Sequence, residues 1–560
     1  MLQPLRLLRW PAFLVLAAPF ASTQNFPPPP APLGPPPAPA GNPITQAKAD
    51  LGKVLFWDEQ LSSTRAVACG TCHQMSAAGH DPRLASQAAD ARHPGFDGLF
   101  GGADDVAGSP GVTRSDAAGL TLADDLFGMQ RQVTRRRSMT VINSAYQSEF
   151  FWDGRAAHAF HDPITGALVL SSGAGLESLV AEPFISSIEM GSDGRTWQDV
   201  LDRIVASQPL ALSPQIPGSL DAWIAGRDYP ALFADAFGDP AITASRVCMA
   251  VATYMRTLVA DQTPFDLWSQ GNANAMTLAQ KEGWGVFHDS FCASCHVPPK
   301  FTADNGLVPF LYTGVRPRGE DLGRAEVTGQ VQDRGRMKIM DLRNVKLRAP
   351  YFHNGSKATL DDVVDFYEAG GEFEVGSNDV PPVFPSTGVD RSNLIDFLEN
   401  GLTDARVEQG LPPFDHPALS EGTGRTPAAY GAGTPGSLGV APRLHAFEPA
   451  RLGATDFTVS LSGAPVGTHA ALLLGLQQDL AGTAFLGANL HVVRTTGLLA
   501  FQRVHNTSSS GSAGGWGTLE LSLPSSAAMA GTTLYAQWVV LDPHAGGSLA
   551  ASEAVHFTLF

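Results

Sequence analysis

The sequence predicts a mainly α-helical region over residues 44–415, followed by an all-β sandwich. Three observations predict it. Apolar residues recur at helical spacing in several segments up to about residue 370. Past about residue 416 cysteine and lysine are absent and the pattern alternates, as in Phe457-Thr458-Val459-Ser460-Leu461 and Leu519-Glu520-Leu521-Ser522-Leu523. Four of the five cysteines lie in two copies of one motif, Cys69-Gly70-Thr71-Cys72-His73 and Cys292-Ala293-Ser294-Cys295-His296, so the helical region reads as two similar parts. A chain of 560 residues, 44% of them hydrophobic, is long enough for two to four domains.

In chain order, Arg6 and Arg9, the apolar run Trp10 to Phe20 and the small residues Ala21 and Ser22 read as a secretory signal over 1–22. The run is too short for a membrane span, which needs about 20 apolar residues, and no later stretch is long enough. The mature chain is therefore expected to be exported, to a periplasm or to the cell surface, with no transmembrane segment. Residues 23–43 form a proline-rich linker. Leu51, Val54 and Leu55 have helical spacing. After the first motif, residues 74–132 are rich in Gly, Ala and Asp and read as long loops. Helices are expected over Trp197 to Val205, Tyr229 to Phe237, Ala244 to Leu258 and Leu278 to Phe287, the last with capping-box spacing between Thr277 and Gln280. Another starts at Thr359 and stops at Gly370-Gly371, with Leu360, Val363, Val364 and Tyr367 on its apolar face. Residues 416–440 read as a linker, and 441–560 as the sandwich, in which no catalytic or metal-ligand cluster is visible.

Cys-x-x-Cys-His is the attachment signature of a c-type haem. Two thiols form thioethers to the porphyrin vinyl groups, and the adjacent histidine reaches the iron. A zinc site or a redox dithiol would not need histidine after each pair. Two covalently bound haem c groups are expected. Cys248, in an apolar run, is expected to be a buried small hydrophobe. The net charge of −17 argues against nucleic acid as a partner.

Residues 44–415 resemble the bacterial di-haem cytochrome c peroxidase and MauG family. The resemblance rests on Leu51-Gly52-Lys53 to Phe56, both haem motifs, Phe151-Trp152-Asp153-Gly154-Arg155, Glu189-Met190, Asp321-Leu322-Gly323-Arg324, Leu342 to Val345 and Pro350 to Gly355. It implies two cytochrome c-like haem domains, 44–265 with a peroxide-reactive haem and 266–415 with an electron-transfer haem. It implies His73 and His296 as proximal ligands and Trp152 as a relay between the haems. Glu189 is implied as the acid–base group, with Pro183 in the same pocket. Tyr367 falls where a ligating tyrosine of MauG, or a methionine of many peroxidases, stands; Met337 or Met340 are its competitors.

The implied activity is reduction of hydrogen peroxide with electrons from a small redox protein, or MauG-like oxidation of a substrate through high-valent haem. The alternative is a non-catalytic di-haem electron carrier with a docking sandwich. Three departures bear on this. Leu179 stands where the peroxidases carry a glutamine. Met129 stands near the position of a capping loop histidine, so the first haem is expected to be open or weakly capped; His80 and His93 could also reach a haem but are expected in solvated loops. Arg137 replaces an asparagine of the family's calcium site. The carbonyls of Arg348 and Pro350 remain, but the arginine's charge argues against calcium.

Overall fold

The computed structural model describes residues 27–86, 89–303, 309–380, 387–494, 498–505, 514–546 and 548–560. The expected secretory signal lies outside the described residues. Helix α1 (Gln46–Trp57) begins at Thr45, whose hydroxyl accepts the Lys48 amide. It buries Leu51, Val54, Leu55, Phe56 and Trp57. It crosses α2 (Ala244–Thr257) at Gly52, where a Cβ would lie 2.0 Å from the Ala250 carbonyl oxygen. The second half repeats this plan. Helix α3 (Leu278–Asp289) starts with the Thr277/Gln280 capping box and crosses α4 (Gly388–Asp396) at Gly283, with a Cβ there 2.0 Å from the Asn393 carbonyl oxygen. In each half the first helix leads into a one-turn helix formed by the cysteine motif, Cys69–Cys72 or Cys292–Cys295.

Over the whole structure helix accounts for 28% and strand, most of it in the C-terminal sandwich, for 19%, and residues 44–415 also hold much irregular chain between their helices. Much of it is residues 74–170. They run as 3-10 turns and short two-stranded ribbons, among them Pro110–Thr113 with Arg131–Val133 and Phe160–His161 with Leu168–Leu170. A segment rich in Gly, Ala and Asp has no apolar stripe to bury as a helix. Helices Gly175–Val180, Gly218–Ile224 and Pro264–Ser269 are too short to show a period in sequence.

One core gathers residues from Leu51 to Ala260 together with Val407 and Phe414; a second runs from Phe265 to Leu402. The chain after the second core thus returns to the first half, where His416 stacks on Trp57 at 4.1 Å and Ser420 hydrogen-bonds Glu59. Cys248 is fully buried in α2. The proline-rich stretch lies across both halves. Its Pro27 carbonyl accepts from the Trp284 indole (2.8 Å) and its Gly34 carbonyl from the Tyr146 hydroxyl (2.7 Å).

The C-terminal part is a sandwich of antiparallel sheets. Strands Leu498–Arg503, His469–Gly475, Thr533–Leu541, Leu549–Thr558 and Ala428–Tyr430 lie side by side in that order. Arg443–His445, Phe457–Ala464 and Gly515–Leu521 form the facing sheet. Phe457, Leu461, Trp538 and Phe557 fill the space between. Its edge rests on the first half: Arg65 pairs with Asp456, Thr518 donates to the Thr121 carbonyl (2.8 Å), and Arg131 lies over the Phe447 ring.

Two candidate haem sites and the wall between them

The first motif opens onto a cavity of about 580 Å³, within the range of small-molecule and cofactor sites. Cys69, Cys72, His73, Phe56, Trp152, Leu179, Pro183 and Glu189 line it. His73 Nδ1 lies 3.0 Å from the Gly79 carbonyl oxygen, so it carries the ring proton and leaves the Nε2 lone pair free. Burial lowers the His73 pKa, which keeps the ring neutral and able to ligate. Glu189 is positioned by backbone. Its segment lies against the ribbon through Val112 N–H donating to the Ile188 carbonyl (3.2 Å), and through Arg195 donating to the Met190 carbonyl (2.8 Å). Gly111 permits this approach, because a Cβ there would fall 1.9 Å from the Ile188 oxygen. Burial pushes the Glu189 carboxyl above its ordinary value, against the pull of Arg155 and a Ser186 hydrogen bond.

The second motif opens onto a smaller cavity, about 230 Å³, lined by Cys292, Cys295, His296, Met337, Met340 and the α5 helix (Leu360–Glu368). His296 Nδ1 donates to the Met340 carbonyl (2.8 Å), and burial lowers the ring to about 4. That carbonyl binds the histidine from behind, on the side away from Nε2. It ties the Met340 backbone to the His296 ring. The α5 face expected to be apolar is the face that meets the cavity: Leu360, Val363, Val364 and Tyr367 all line it. Phe366, off that stripe, is buried against Phe352 at 4.6 Å. Burial, then the neighbouring Cys295 and Cys292 thiols, push the Tyr367 phenol well above its ordinary value.

Trp152 and Arg137 line both cavities. The indole Nε1 donates to the Arg137 carbonyl (2.9 Å), and the ring meets His353 edge-on at 6.1 Å. The next residue, Asp153, pairs with Arg136 (2.7 Å), which also holds Asp321 (2.5 Å) and Glu326 (3.2 Å) from the second half. Arg324 donates to the carbonyls of Asp153 (2.9 Å) and Gly154 (2.7 Å). The Asp321-Leu322-Gly323-Arg324 motif is therefore the clamp that fixes the wall from the other side.

A family model described as di-haem cytochrome c peroxidase matches residues 46–274. Over these residues the chain is similar to the di-haem cytochrome c peroxidases, and MauG proteins stand among its relatives. The chain is 29% identical over 377 residues to the methylamine utilization protein MauG of Methylophilus methylotrophus, covering 66% of this chain and 85% of that one. It is 28% identical over 389 residues to the cytochrome c551 peroxidase of Pseudomonas aeruginosa, covering 69% and 85%. The crystal structure of a MauG-like protein associated with microbial copper homeostasis is 21% identical over 69% of this chain and 97% of that one, with a TM-score of 0.47.

The family implies haem c, and the walls of both cavities fit it. Beyond the thiols and the histidine lone pairs, several buried polar atoms have no partner among the described residues: Arg137 Nε, Gln147 Nε2, Ser109 Oγ and Ser144 Oγ on the first cavity, and Arg348 Nε on the second. Buried donors without partners cost free energy, and the carboxylates of a porphyrin would satisfy them. Calcium does not fit. The Arg137 guanidinium donates to the Pro350 carbonyl through Nη1 and to the Arg348 carbonyl through Nη2 (2.9 Å). A fixed cation thus occupies the position a metal would take.

Met129 is not in the first cavity. It is buried beneath the sandwich, beside Thr121, Thr458 and His445. The docked sandwich, which no local pattern announces, decides this. The expectation of solvated histidines also fails. His80 is fully buried, with both ring nitrogens unpartnered among the described residues. His93 lines the first cavity, and its Nδ1 accepts from the Gly95 amide (3.2 Å), leaving the neutral ring's proton on Nε2. Sequence reasoning also missed an internal repeat. Met139, Asn143, Phe151 and Gly154 recur as Met340, Asn344, Phe352 and Gly355 at one constant offset. Both asparagines, both phenylalanines and both glycines have positive φ. Self-comparison of the sequence would have found it.

Proposed function

We propose that the protein is a di-haem c-type oxidoreductase that consumes hydrogen peroxide, with Cys69, Cys72 and His73 holding one haem and Cys292, Cys295 and His296 the other. The observation that carries this reading is one tryptophan, Trp152, on the walls of both motif-bearing cavities. The haem in the first cavity supplies the iron at which peroxide is reduced. Glu189, whose carboxyl burial raises above its ordinary value, accepts a proton from one peroxide oxygen and returns it to the other. Pro183 and Leu179 beside it keep that side of the cavity apolar. Trp152 keeps its indole proton on the Arg137 carbonyl and holds a fixed ring between the cavities.

In this reading Tyr367 would offer its phenol oxygen to the iron of the haem held by Cys292, Cys295 and His296. Its phenol lines that cavity, whereas the backbone of Met340 is committed to the proximal histidine. An oxygen donor stabilises oxidised iron more than a thioether does. That favours MauG-like oxidation of a substrate over simple electron relay. Electrons come from a small redox protein or an oxidisable protein substrate. Among the described residues no helix is long and apolar enough to cross a membrane; the segment 1–22 supports export.

The test is an absorption spectrum of the purified protein with and without peroxide, beside turnover with a small-molecule electron donor. Two covalent haems and peroxide-dependent oxidation of the donor are expected. Haem spectra indifferent to peroxide would leave the electron-carrier reading instead.

A further inference from the structure

The sandwich rests on the back of the ribbon that positions Glu189. Successive side chains of a strand point to opposite faces, and the strand Arg131–Val133 shows it. Gln132 reaches forward and donates to the Ser187 carbonyl (2.7 Å). Arg131 reaches back, lies over the Phe447 ring of the sandwich at 5.1 Å and pairs with Glu421 (3.2 Å). On the partner strand, Gly111 and Val112 lie against Ile188. Just beyond that strand, the Ser115 carbonyl accepts from the Asp193 amide (2.8 Å), and Ser115 bridges to Thr121. Thr121 carries the second contact with the sandwich. Its carbonyl accepts from Thr518 (2.8 Å), and its buried hydroxyl donates to Thr458 (3.4 Å).

This line of hydroxyls ends on a buried acid. Thr458 donates to the Glu448 carboxyl (2.9 Å). The free space beside them is about 10 Å³, room for one water at most. The charged and titratable groups facing the carboxyl are Arg65, Arg203 and Arg131 from the first half, and Asp456 and His445 from the sandwich. Arg65 is taken by Asp456, and Arg131 by Glu421. Arg203 turns to the Gln60 carbonyl (3.4 Å). Burial lowers His445 to about 3, so its ring is neutral, and it shares a hydrogen bond with Ser462 (2.8 Å). Burial pushes Glu448 up to about 8, against the Thr458 hydrogen bond and the charge of Arg65. A carboxylate in this place lacks both hydration and a cation of its own, so its charge favours separation of the two surfaces.

We propose that the sandwich braces the first cavity from behind, holding the ribbon and through it Glu189, and that loss of the Glu448 proton releases the brace. Glu448, Thr458 and Thr518 are positioning residues, since none of them lines the cavity. The inference rests on the reading of Glu189 as the proton-transfer group and adds how its placement is controlled. An exposed glutamate titrates at about 4.3. The docked state therefore holds a proton that the separated state gives up between about pH 4.3 and about pH 8. Docking is strongest in acid, weakens as the pH rises through that window, and is weakest above it.

The experiment uses the haem-loaded full chain. Amide hydrogen exchange over residues 110–133, corrected for the intrinsic effect of pH, is followed by mass spectrometry beside the pH profile of peroxide turnover with a small-molecule donor. In the wild type, ribbon protection and turnover are expected to fall together as the pH rises from about 6 to about 9. Glu448→Gln keeps an acceptor for Thr458 without the charge, and should hold both at their low-pH level across that range. Thr458→Val should lower protection by about tenfold at every pH, the scale of one lost hydrogen bond to a buried group, and turnover several-fold, with haem content unchanged. Wild-type protection that is constant with pH, or a Glu448→Gln profile that matches the wild type, overturns the release. Unchanged ribbon exchange in Thr458→Val overturns the brace, and undiminished turnover where protection is lost overturns its link to Glu189. Absence of peroxide turnover at every pH would instead sink the underlying reading of the site, and the exchange results would still decide the brace.

Discussion

Glu189 shows how little a single side chain says by itself. A glutamate before a methionine is common; here a ribbon, a glycine without a Cβ and an arginine bracket place its carboxyl on the cavity wall. Glu189→Gln should retain both haems while turnover with peroxide falls on the order of 100-fold, the scale of a positioned proton-transfer group; equal turnover would remove it from the mechanism. Tyr367→Phe is expected to change the absorption and electron paramagnetic resonance of the second haem only, because Tyr367 lines that cavity and not the first. A sulfur signature on that iron in the wild type would refute the assignment.

At the scale of elements, both halves depend on a glycine where two helices cross. A methyl group at Gly283 would need its Cβ 2.0 Å from the Asn393 carbonyl oxygen, so α3 and α4 must separate. Gly283→Ala should cost on the order of 1–3 kcal/mol, the scale of an overpacked core, read as a lowered denaturation midpoint. The ion cluster on the wall is the other weak point. Burial alone would raise Asp321, but the hydrogen bonds and charge of Arg136 outweigh it and hold the carboxyl down at about 2. An unfolded aspartate titrates near 3.9. The folded carboxyl is the stronger acid, so its stabilisation is complete above about pH 4 and is lost as the pH falls toward 2. Asp321→Asn should destabilise by on the order of 3 kcal/mol at neutral pH and flatten the pH dependence of stability in that window. A wild-type slope retained by the variant would place the acid sensitivity elsewhere.

For the whole molecule, Arg137 joins the halves with a cation that is part of the chain. It reaches carbonyls of the second half with its side chain and Trp152 with its own carbonyl. Removal of divalent metal by a chelator should therefore leave the melting temperature and both haem spectra unchanged. Arg137→Asn removes the cation and leaves facing carbonyls unpaired; it should lower the melting temperature by several degrees, with partial recovery in millimolar calcium but not magnesium. A wild type that loses stability in chelator would show that metal binds despite the arginine.

Local chemistry made much of this legible in the amino acids themselves. The two Cys-x-x-Cys-His motifs need no tertiary context, because thioether spacing and the adjacent ligand are contiguous in the chain. The Thr277 and Thr359 caps and the Leu360–Tyr367 stripe are also short-range, and the helices formed where their periods predicted. Alternation foretold the sandwich strands for the same reason.

What tertiary structure decided is where residues far apart in sequence meet. Met129 lies under the sandwich because a sheet more than 300 residues later docks there. His80 is sealed in although its neighbours read as loop. Trp152 stands on two walls because Arg136 draws Asp321 and Glu326 across the junction. Such placements follow from packing against distant elements, which composition and periodicity do not encode.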